Sequence, residues 1–216
     1  MSDKYAFIGD VHGNLQAVES LVAWLAEFDL ASTVLLGDYL NKGPNGAGVI
    51  DYLIQNESEA GLVPLIGNHE SIFLDCMASG DIRPLLRMSG APTVRSYVGK
   101  AVGPDVYAEL RTAVPQAHIR FLSRLSTEFS TGTVRAAHVS ATRDSRYQIS
   151  GHVSVGLIPR IGDRAAHIDT GCGAADGRLT AFLWPSRRYL QVDHVGVRLD
   201  PAEAVPRGGS AEVAGS

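Results

Sequence analysis

The sequence predicts an α/β fold that begins as a parallel sheet with helical crossovers, continues through a helical insert and ends in a strand-rich half. Near the start, three short apolar segments each lead into a glycine and then an acidic or amide residue, and a helical apolar pattern follows each of them. Farther along, prolines divide one long stretch into short pieces, and turn signals separate short apolar runs. These patterns indicate alternating strands and helices, followed by a second group of strands.

The three apolar segments are predicted to be strands buried on both faces, because they are continuous rather than alternating. They comprise residues 5–8, 33–36 and 62–66. The residues just beyond them, Asp10, Asp38 and Asn68, lie 28 and 30 positions apart. That interval is about the length of one strand-helix-strand unit of a parallel sheet.

Residues 80–128 form a predicted helical insert, because their apolar positions are sparser and four prolines divide them. The strand candidates of the second half are residues 133–139, 146–149, 154–161, 165–168, 179–183 and 189–192. We expect one domain over residues 1–198. Residues 199–216 are expected to be a disordered tail, because they are mostly small and polar.

Composition and charge describe a globular protein without a nucleic-acid-binding surface. Of the 216 residues, 45% are hydrophobic and 19% are charged; the net charge is −4, and lysines and arginines are scattered. This pattern argues against nucleic-acid binding but is compatible with a small anionic substrate. Two cysteines without close spacing favour a reducing compartment. Without a leader-like start or an apolar run of about 18 residues, we expect a cytoplasmic protein with no membrane partner. The oligomeric state is left open.

Ligand-type side chains follow all three predicted strands of the first half. Asp10, Asp38 and Asn68 each come after a glycine, and His12 and His69 stand beside them. Because the carboxyl ends of parallel strands meet at one edge of a sheet, we expect these side chains to cluster. Crowded carboxylates need a compensating cation, and oxygen and nitrogen ligands of this kind suit Mn, Fe or Zn.

Two further histidines, His138 and His152, follow strand-like segments of the second half. The whole set exceeds the ligands of an ordinary zinc site and predicts two divalent ions, which a carboxylate can bridge. Each residue also has a structural interpretation, since a glycine followed by Asp is often a turn or a helix cap. The combination favours the metal site. His118 and His194 are interpreted as surface or core residues, and His167 is left undecided.

Several motifs resemble those of the metallophosphoesterases. The three signature blocks are GDVHG at residues 9–13, GDYLNKG at 37–43 and GNHE at 67–70. Matches at residues 89–97, 151–152 and 168–173 resemble the phosphoprotein-phosphatase branch of this family. That branch includes bacterial and phage serine/threonine phosphatases and symmetrical diadenosine tetraphosphatases. The resemblance extends over residues 4–193, and it is specific for the superfamily but much less so for the substrate.

The resemblance implies a two-sheet sandwich flanked by helices, with four layers in the order αββα. It implies two divalent metal ions, with Mn preferred and Fe or Zn as alternatives. The ligands it implies are Asp10 and His12 on one metal, Asp38 bridging, and Asn68, His138 and His152 on the other. It also implies that His69 is a general acid near the leaving oxygen, and that Asn68 contacts the substrate.

The second block departs from the family pattern at Asn41 and Lys42, where an Asp and an Arg are usual. We expect Asn41 to accept a hydrogen bond from a ring N–H of His69 and to leave the pKa of that ring lower than an Asp would. Lys42 is expected to bind phosphate as a point charge, without the bidentate fork of Arg. The short span between the last two histidine ligands leaves Arg143 and Arg146 as candidates for a second phosphate contact, with Arg146 preferred.

The sequence therefore predicts a metal-dependent phosphatase that hydrolyses phosphate monoesters by attack of metal-bound hydroxide. The substrate would be phosphoserine or phosphothreonine on a protein, or a small phosphorylated metabolite. Asp38 would help to place the hydroxide, and His69, oriented by Asn41, would protonate the leaving oxygen. A hydrolase of dinucleoside polyphosphates such as diadenosine tetraphosphate is the alternative. A non-catalytic module that binds metal or phosphate is a third hypothesis.

Overall fold

Two β-sheets pack face to face in the computed structural model of the chain, and helices cover the larger sheet. The structure describes residues 3–58, 60–99, 101–140 and 145–199. Most of the predicted tail, from residue 200 onward, therefore lies outside the described residues. Within the described ranges, no helix combines the length and the apolar character needed to cross a membrane.

The described part of the chain contains eleven strands and seven helices. The strands are β1 (Tyr5–Ile8), β2 (Ser32–Leu35), β3 (Leu62–Pro64), β4 (Glu128–Ser130), β5 (Val134–Ala137), β6 (Tyr147–Ser150), β7 (Arg160–Ile161), β8 (Ala165–His167), β9 (Arg178–Trp184), β10 (Arg188–Asp193) and β11 (Arg198–Leu199). The helices are α1 (Leu15–Leu25), α2 (Gly46–Asn56), α3 (Asn68–Ser79), α4 (Arg83–Arg87), α5 (Ala91–Val98), α6 (Val106–Ala113) and α7 (Gln116–Ser123).

Both sheets are mixed, and each contains a parallel set of three strands. The six-stranded sheet has the order β11, β10, β9, β1, β2, β3, in which β1, β2 and β3 are parallel. The five-stranded sheet has the order β4, β5, β6, β8, β7, in which β5, β6 and β8 are parallel. In each sheet the carboxyl ends of the parallel strands therefore lie at one edge, where ligands gather in open α/β sheets.

The continuous apolar strands of the first half are buried on both faces because each face meets a different layer. In β1, Phe7 packs between the sheets, whereas Ala6 and Ile8 point into the core beneath the helices. The core between the sheets includes Tyr147 and Phe182, whose rings stack with centroids 5.8 Å apart. Burying a large apolar side chain stabilises the fold by roughly 1.5–3 kcal/mol.

The predicted α/β architecture, two sheets flanked by helices, is confirmed. Each of the seven described helices contributes at least one buried residue to the core beside the larger sheet. Helices α4 to α7 fall within the predicted insert over residues 80–128, and its last residue begins β4.

Two sequence-based expectations about strands were wrong. Residues 154–161 were predicted to form one strand, but only Arg160–Ile161 does so. Gly156 adopts a φ of 94° and Pro159 has no N–H to donate, so neither continues a ladder. The predicted tail began at residue 199, but Leu199 pairs with Gln191 in β11. The short strands β4 and β11 were not predicted from the sequence.

Candidate metal centre

The structure brings the predicted ligand-type residues of both sheets to one place. Asp10 and Asp38 lie just beyond β1 and β2, and Asn68 opens α3 shortly after β3. His138 and His152 follow β5 and β6 in the second sheet. The backbone N–H of His152 donates to both carboxylate oxygens of Asp10, at 3.1 and 3.2 Å, which joins the edges of the two sheets directly.

Two groups of side chains in the described residues are suited to holding a metal ion, and they overlap at one carboxylate. The first group is His12, Asp38 and His69; the second is Asp38, His138 and His152. In each group the ligand atoms lie within 4.8 Å of one another. Asp38 belongs to both groups, which is the position that a bridging ligand would take.

The second group has the donor set that a divalent ion would require. Nε2 of His138 lies 2.8 Å from Oδ1 of Asn68, 3.1 Å from Nδ1 of His152 and 3.3 Å from Oδ1 of Asp38. Nδ1 of His152 lies 2.9 Å from the same Asn68 oxygen. A neutral imidazole carries only one N–H, so several lone pairs converge here without enough hydrogens between them. These residues therefore fit a cation with nitrogen and oxygen ligands.

The first group is arranged around the imidazole of His12. Its Nδ1 lies 3.1 Å from the carbonyl oxygen of Leu40, so Nδ1–H donates there and Nε2 keeps its lone pair. Nε2 lies 3.8 Å from Oδ2 of Asp10 and 3.8 Å from Oδ2 of Asp38. The ammonium of Lys42 lies 2.7 Å from this Nε2. A positive charge thus already stands beside the ring nitrogen, and it acts to lower the pKa values of Asp10 and Asp38, in the direction that a metal ion would.

Burial shifts the pKa values of the carboxylates and imidazoles in this cluster so that their neutral forms are favoured. Burial, followed by the negative charges of Glu70 and Asp10, raises the pKa of Asp38 to about 9. Burial is also the largest cause that raises the pKa of Asp10 well above its usual value. Burial lowers the pKa of His12 and of His138 to about 3 each. Neutral imidazoles are ready to bind a metal, and a cation would offset the cost of ionising the two carboxylates.

A buried glutamate shapes the loop that carries Asp38. The carboxylate of Glu70, at the start of α3, accepts hydrogen bonds from the backbone N–H groups of Asp38, Tyr39, Leu40 and Gly67 at 2.8 to 3.1 Å. Asp38 has a φ of 53°, which a non-glycine residue adopts only when its surroundings hold it there. This function of Glu70 was not predicted from the sequence, although a glutamate three residues after a helix N-cap is a known signal for such contacts.

Asn41 contacts His69 in the opposite sense from that expected. Nδ2 of Asn41 lies 2.6 Å from Nδ1 of His69, so the amide donates and the ring accepts. The same Nδ2 donates to the carbonyl oxygen of Met88 at 3.1 Å, and Oδ1 accepts from the hydroxyl of Thr93 at 2.9 Å. Burial, then Lys42 and His152, lowers the pKa of His69 to about 4. The prediction that Asn41 accepts was wrong, because these two neighbours hold the amide the other way round.

The structure does not bring Arg146 to the cluster. Arg146 precedes the first residue of β6, whereas His152 follows its last residue, so the two lie at opposite ends of the strand. Arg146 instead lines a cavity of about 600 Å³ with Tyr147, Trp184 and Arg187. The expectation of a phosphate contact is therefore corrected. The alternative candidate, Arg143, lies outside the described residues.

Three further histidines belong to neither candidate ligand group, although His167 lines a cavity together with His152. His118 is buried in α7, with Nδ1 at 2.9 Å from the hydroxyl of Tyr97 and Nε2 at 2.8 Å from Oδ1 of Asp51. It is thus a core residue with both nitrogens paired. His167 contacts the hydroxyl of Ser150 at 2.9 Å. His194 is exposed.

A family model for calcineurin-like phosphoesterases matches residues 4–122, which is more than half of the chain. The chain belongs to the calcineurin-like phosphoesterase family. The matched region contains both strand-end carboxylates and the whole first group of candidate metal ligands.

One relative is similar to this chain in sequence, and two solved structures are similar to it in fold at low sequence identity. The zinc-dependent endopolyphosphatase of Saccharomyces cerevisiae is 24% identical over 160 residues, which cover 72% of this phosphoesterase but only 46% of the yeast protein. A diadenosine tetraphosphatase candidate of known structure has a TM-score of 0.64 and 20% identity, covering 89% of this chain and 94% of its own. A cold-active protein-tyrosine phosphatase from a psychrophilic Shewanella species has a TM-score of 0.56 and 14% identity, covering 92% and 80%.

Proposed function

We propose that this phosphoesterase hydrolyses phosphoric esters at a centre of two divalent ions. The supporting observation is the pair of overlapping ligand groups that share Asp38, with Oδ2 of Asp10 only 3.8 Å from Nε2 of His12 beside the first group. His69, the third member of the first group, takes the acid role instead, because Asn41 occupies its Nδ1 and Nε2 then carries the ring hydrogen. On this proposal Asp10 and His12 would hold one ion, Asn68, His138 and His152 would hold the second, and Asp38 would be shared by both. Mn is the first choice of metal, and Fe or Zn would also suit these ligands.

When bound, the two ions would lower the pKa of a water molecule and stabilise the negative charge of the phosphoryl group. The side chains of the protein would bind the substrate and donate a hydrogen bond to the leaving oxygen. Lys42, whose ammonium lies 2.7 Å from Nε2 of His12, can move to a phosphoryl oxygen as a point charge. Nε2 of His69 lies 3.5 Å from Oδ2 of Asp38 and can donate to the leaving oxygen. The amide of Asn68 can contact the substrate.

Two substrate classes remain in the proposal. The first is a phosphate monoester, either phosphoserine or phosphothreonine on a protein or a small metabolite. The second is a phosphoric anhydride such as a dinucleoside polyphosphate. The contact between the Asn41 amide and Nδ1 of His69 favours the second class, because an amide cannot stabilise a charged His69 as a carboxylate would. A phosphate leaving group is less basic than an alkoxide and depends less on protonation by such an acid. The names of the yeast and diadenosine relatives point in the same direction.

The cellular setting is also a proposal. Cys76 and Cys172 are both buried free thiols, which is compatible with a cytoplasmic enzyme.

A substrate panel with Mn-loaded protein tests the function. The panel contains p-nitrophenyl phosphate, bis-p-nitrophenyl phosphate, a phosphoserine peptide and diadenosine tetraphosphate. We expect metal-dependent turnover of the monoesters or of the anhydride, and little release from the diester. Bound metal without turnover of any of the four compounds would support the non-catalytic binding module instead.

Lys42→Met is expected to raise KM for the preferred substrate by about 10-fold, because a hydrogen bond to a charged group is worth roughly 1.5–3 kcal/mol. The metal content should not fall, since Lys42 is not a proposed ligand. Steady-state kinetics and metal analysis measure both quantities.

Lys4→Met is the matched control for this variant. Lys4 directly precedes β1, at the end of the strand that is remote from the cluster. Its ammonium pairs with the exposed carboxylate of Asp29 at 3.7 Å. Equal KM values for the two lysine variants would contradict a phosphate contact by Lys42.

A further inference from the structure

Thr93 lies in α5, in the helical insert, and its hydroxyl touches Asn41 twice. The hydroxyl oxygen accepts from the backbone N–H of Asn41 at 2.7 Å, and the hydroxyl hydrogen points to Oδ1 of Asn41 at 2.9 Å. Both residues are fully buried. Thr93 touches no proposed metal ligand in the described contacts, so its effect on the site passes through Asn41.

The hydrogens in this network admit one arrangement with every contact satisfied. A hydroxyl has one hydrogen, and because its oxygen already accepts from a backbone N–H, that hydrogen is directed to Oδ1 of Asn41. The NH₂ group of Asn41 then faces the Met88 carbonyl at 3.1 Å and Nδ1 of His69 at 2.6 Å. The reversed amide would set its oxygen against the Met88 carbonyl and leave the hydroxyl hydrogen of Thr93 without an acceptor.

The orientation of the amide decides where the ring hydrogen of His69 resides. Nδ1 accepts from Asn41, so the single hydrogen of the imidazole is carried by Nε2. Nε2 faces the cluster, 3.5 Å from Oδ2 of Asp38. This is the nitrogen that would meet a leaving oxygen.

We propose that Thr93 is a positioning residue for hydrolysis: through Asn41, it holds the ring hydrogen of His69 on Nε2, directed at the leaving oxygen. The inference rests on the proposed function. It further implies a preference for substrates with a phosphate leaving group, because His69 then stabilises the leaving oxygen by a hydrogen bond and keeps its own proton.

The reaction balances without proton transfer from His69. A water oxygen forms a bond to the attacked phosphorus while the P–O bond to the leaving phosphate breaks. The electron pair of that bond goes to the leaving oxygen, which accepts the hydrogen bond from Nε2–H. One proton of the water is released to solvent and the other stays on the newly formed phosphate, so that two phosphate groups result. An alkyl ester would release an alkoxide, which needs a whole proton.

The insert holds Thr93 firmly in place. On the same helix, Tyr97 stacks on Phe73 of α3 with ring centroids 5.8 Å apart, and its hydroxyl contacts the buried His118 of α7 at 2.9 Å. Ser96 accepts a hydrogen bond from the backbone N–H of Ala47 in α2 at 3.1 Å. Helix α5 is thus tied to three other helices, and this rigidity is what a positioning residue requires.

Thr93→Val and Thr93→Ser test the proposal. Valine keeps the shape and removes the hydroxyl, whereas serine restores it. Thr112→Val is the matched control, because Thr112 is exposed on α6 and its hydroxyl bonds only within that helix. Each protein is assayed with tripolyphosphate, p-nitrophenyl phosphate and an alkyl phosphate such as glycerol 2-phosphate. The ring of His69 is followed by ¹⁵N NMR of histidine-labelled, Zn-loaded protein, with His69→Gln providing the assignment.

We expect the wild type to show hydrogen on Nε2 of His69 and to hydrolyse tripolyphosphate faster than the alkyl phosphate. Thr93→Val should mix the two ring tautomers and lower kcat for tripolyphosphate by about 10-fold, whereas Thr93→Ser and Thr112→Val should resemble the wild type. Asn41→Asp is a second variant, in which a carboxylate accepts from Nδ1–H. Its hydrolysis of the alkyl phosphate should rise relative to that of tripolyphosphate.

An unchanged His69 tautomer in Thr93→Val would overturn the proposal, even if this variant melts at a lower temperature, and a changed tautomer in Asn41→Asp would show that the measurement can detect the change. Faster hydrolysis of the alkyl phosphate than of tripolyphosphate by the wild type would also overturn it. These results differ from a failure of the proposed function, in which metal-loaded wild type would turn over none of the three compounds.

Discussion

Asp38→Asn is expected to lose about 10³-fold in kcat for any phosphate substrate, because removing a ligand shared by two ions costs several kcal/mol and each 1.4 kcal/mol is a factor of ten. Asp38 is the one residue common to both candidate ligand groups, and it is 2% exposed. The amide is nearly the same size as the carboxylate, so the variant removes the charge and leaves the shape. The protein should also bind less than two equivalents of metal, as measured by elemental analysis after gel filtration.

Asp75→Asn is the matched control for this prediction. Asp75 lies on α3, near the cluster in sequence, but its side chain is exposed. This variant should keep both its metal and its turnover. Full metal-dependent activity in Asp38→Asn would remove the basis for the bridged two-metal centre.

Metal removal is expected to lower the melting temperature of the wild type by on the order of 10 °C at pH 8, and by less at pH 5, because 1 kcal/mol corresponds to about 2–4 °C for a domain of this size. Without metal, burial and the charges of Glu70 and Asp10 raise the pKa of Asp38 from 3.8 to about 9. The folded chain then holds this proton more tightly than the unfolded chain does. The resulting stability is fully present below about pH 4 and is lost as the pH rises towards 9. Bound metal removes this loss by compensating the ionised carboxylate.

Melting curves of wild type and Asp38→Asn, each with metal and after chelation, measure this effect between pH 5 and pH 8. Metal-free Asp38→Asn should show a weaker dependence on pH, because its amide does not titrate. Wild type should be the more stable protein when metal is present, and the variant should be the more stable one at pH 8 when metal is absent. Parallel curves for the two proteins would argue that Asp38 is not the buried charge that a metal compensates.

The sequence by itself determined the α/β class and the place where ligand-type residues gather. Parallel strands must end at the same edge, so the residues following β1, β2 and β3 could be placed together without coordinates. The structure indeed brings Asp38 and Asn68 within reach of the same histidine, His138, at 3.3 and 2.8 Å. That these residues bind metal remains the proposal made above.

The tertiary structure alone decided the contacts that depend on distant side chains. Asn41 donates to His69 because Met88 and Thr93, which come from the insert, hold its amide in that direction. A single sequence shows that an amide is present but not which of its ends faces a neighbour, since both ends form hydrogen bonds equally well. The position of Arg146, by contrast, already followed from the predicted strand over residues 146–149, which places it at the end opposite His152. The pairing of Leu199 with Gln191 in β11, which the sequence did not predict, did require the packed structure. Sequence periodicity therefore predicts which strands meet, whereas hydrogen-bond direction and strand bounds require packing from the rest of the chain.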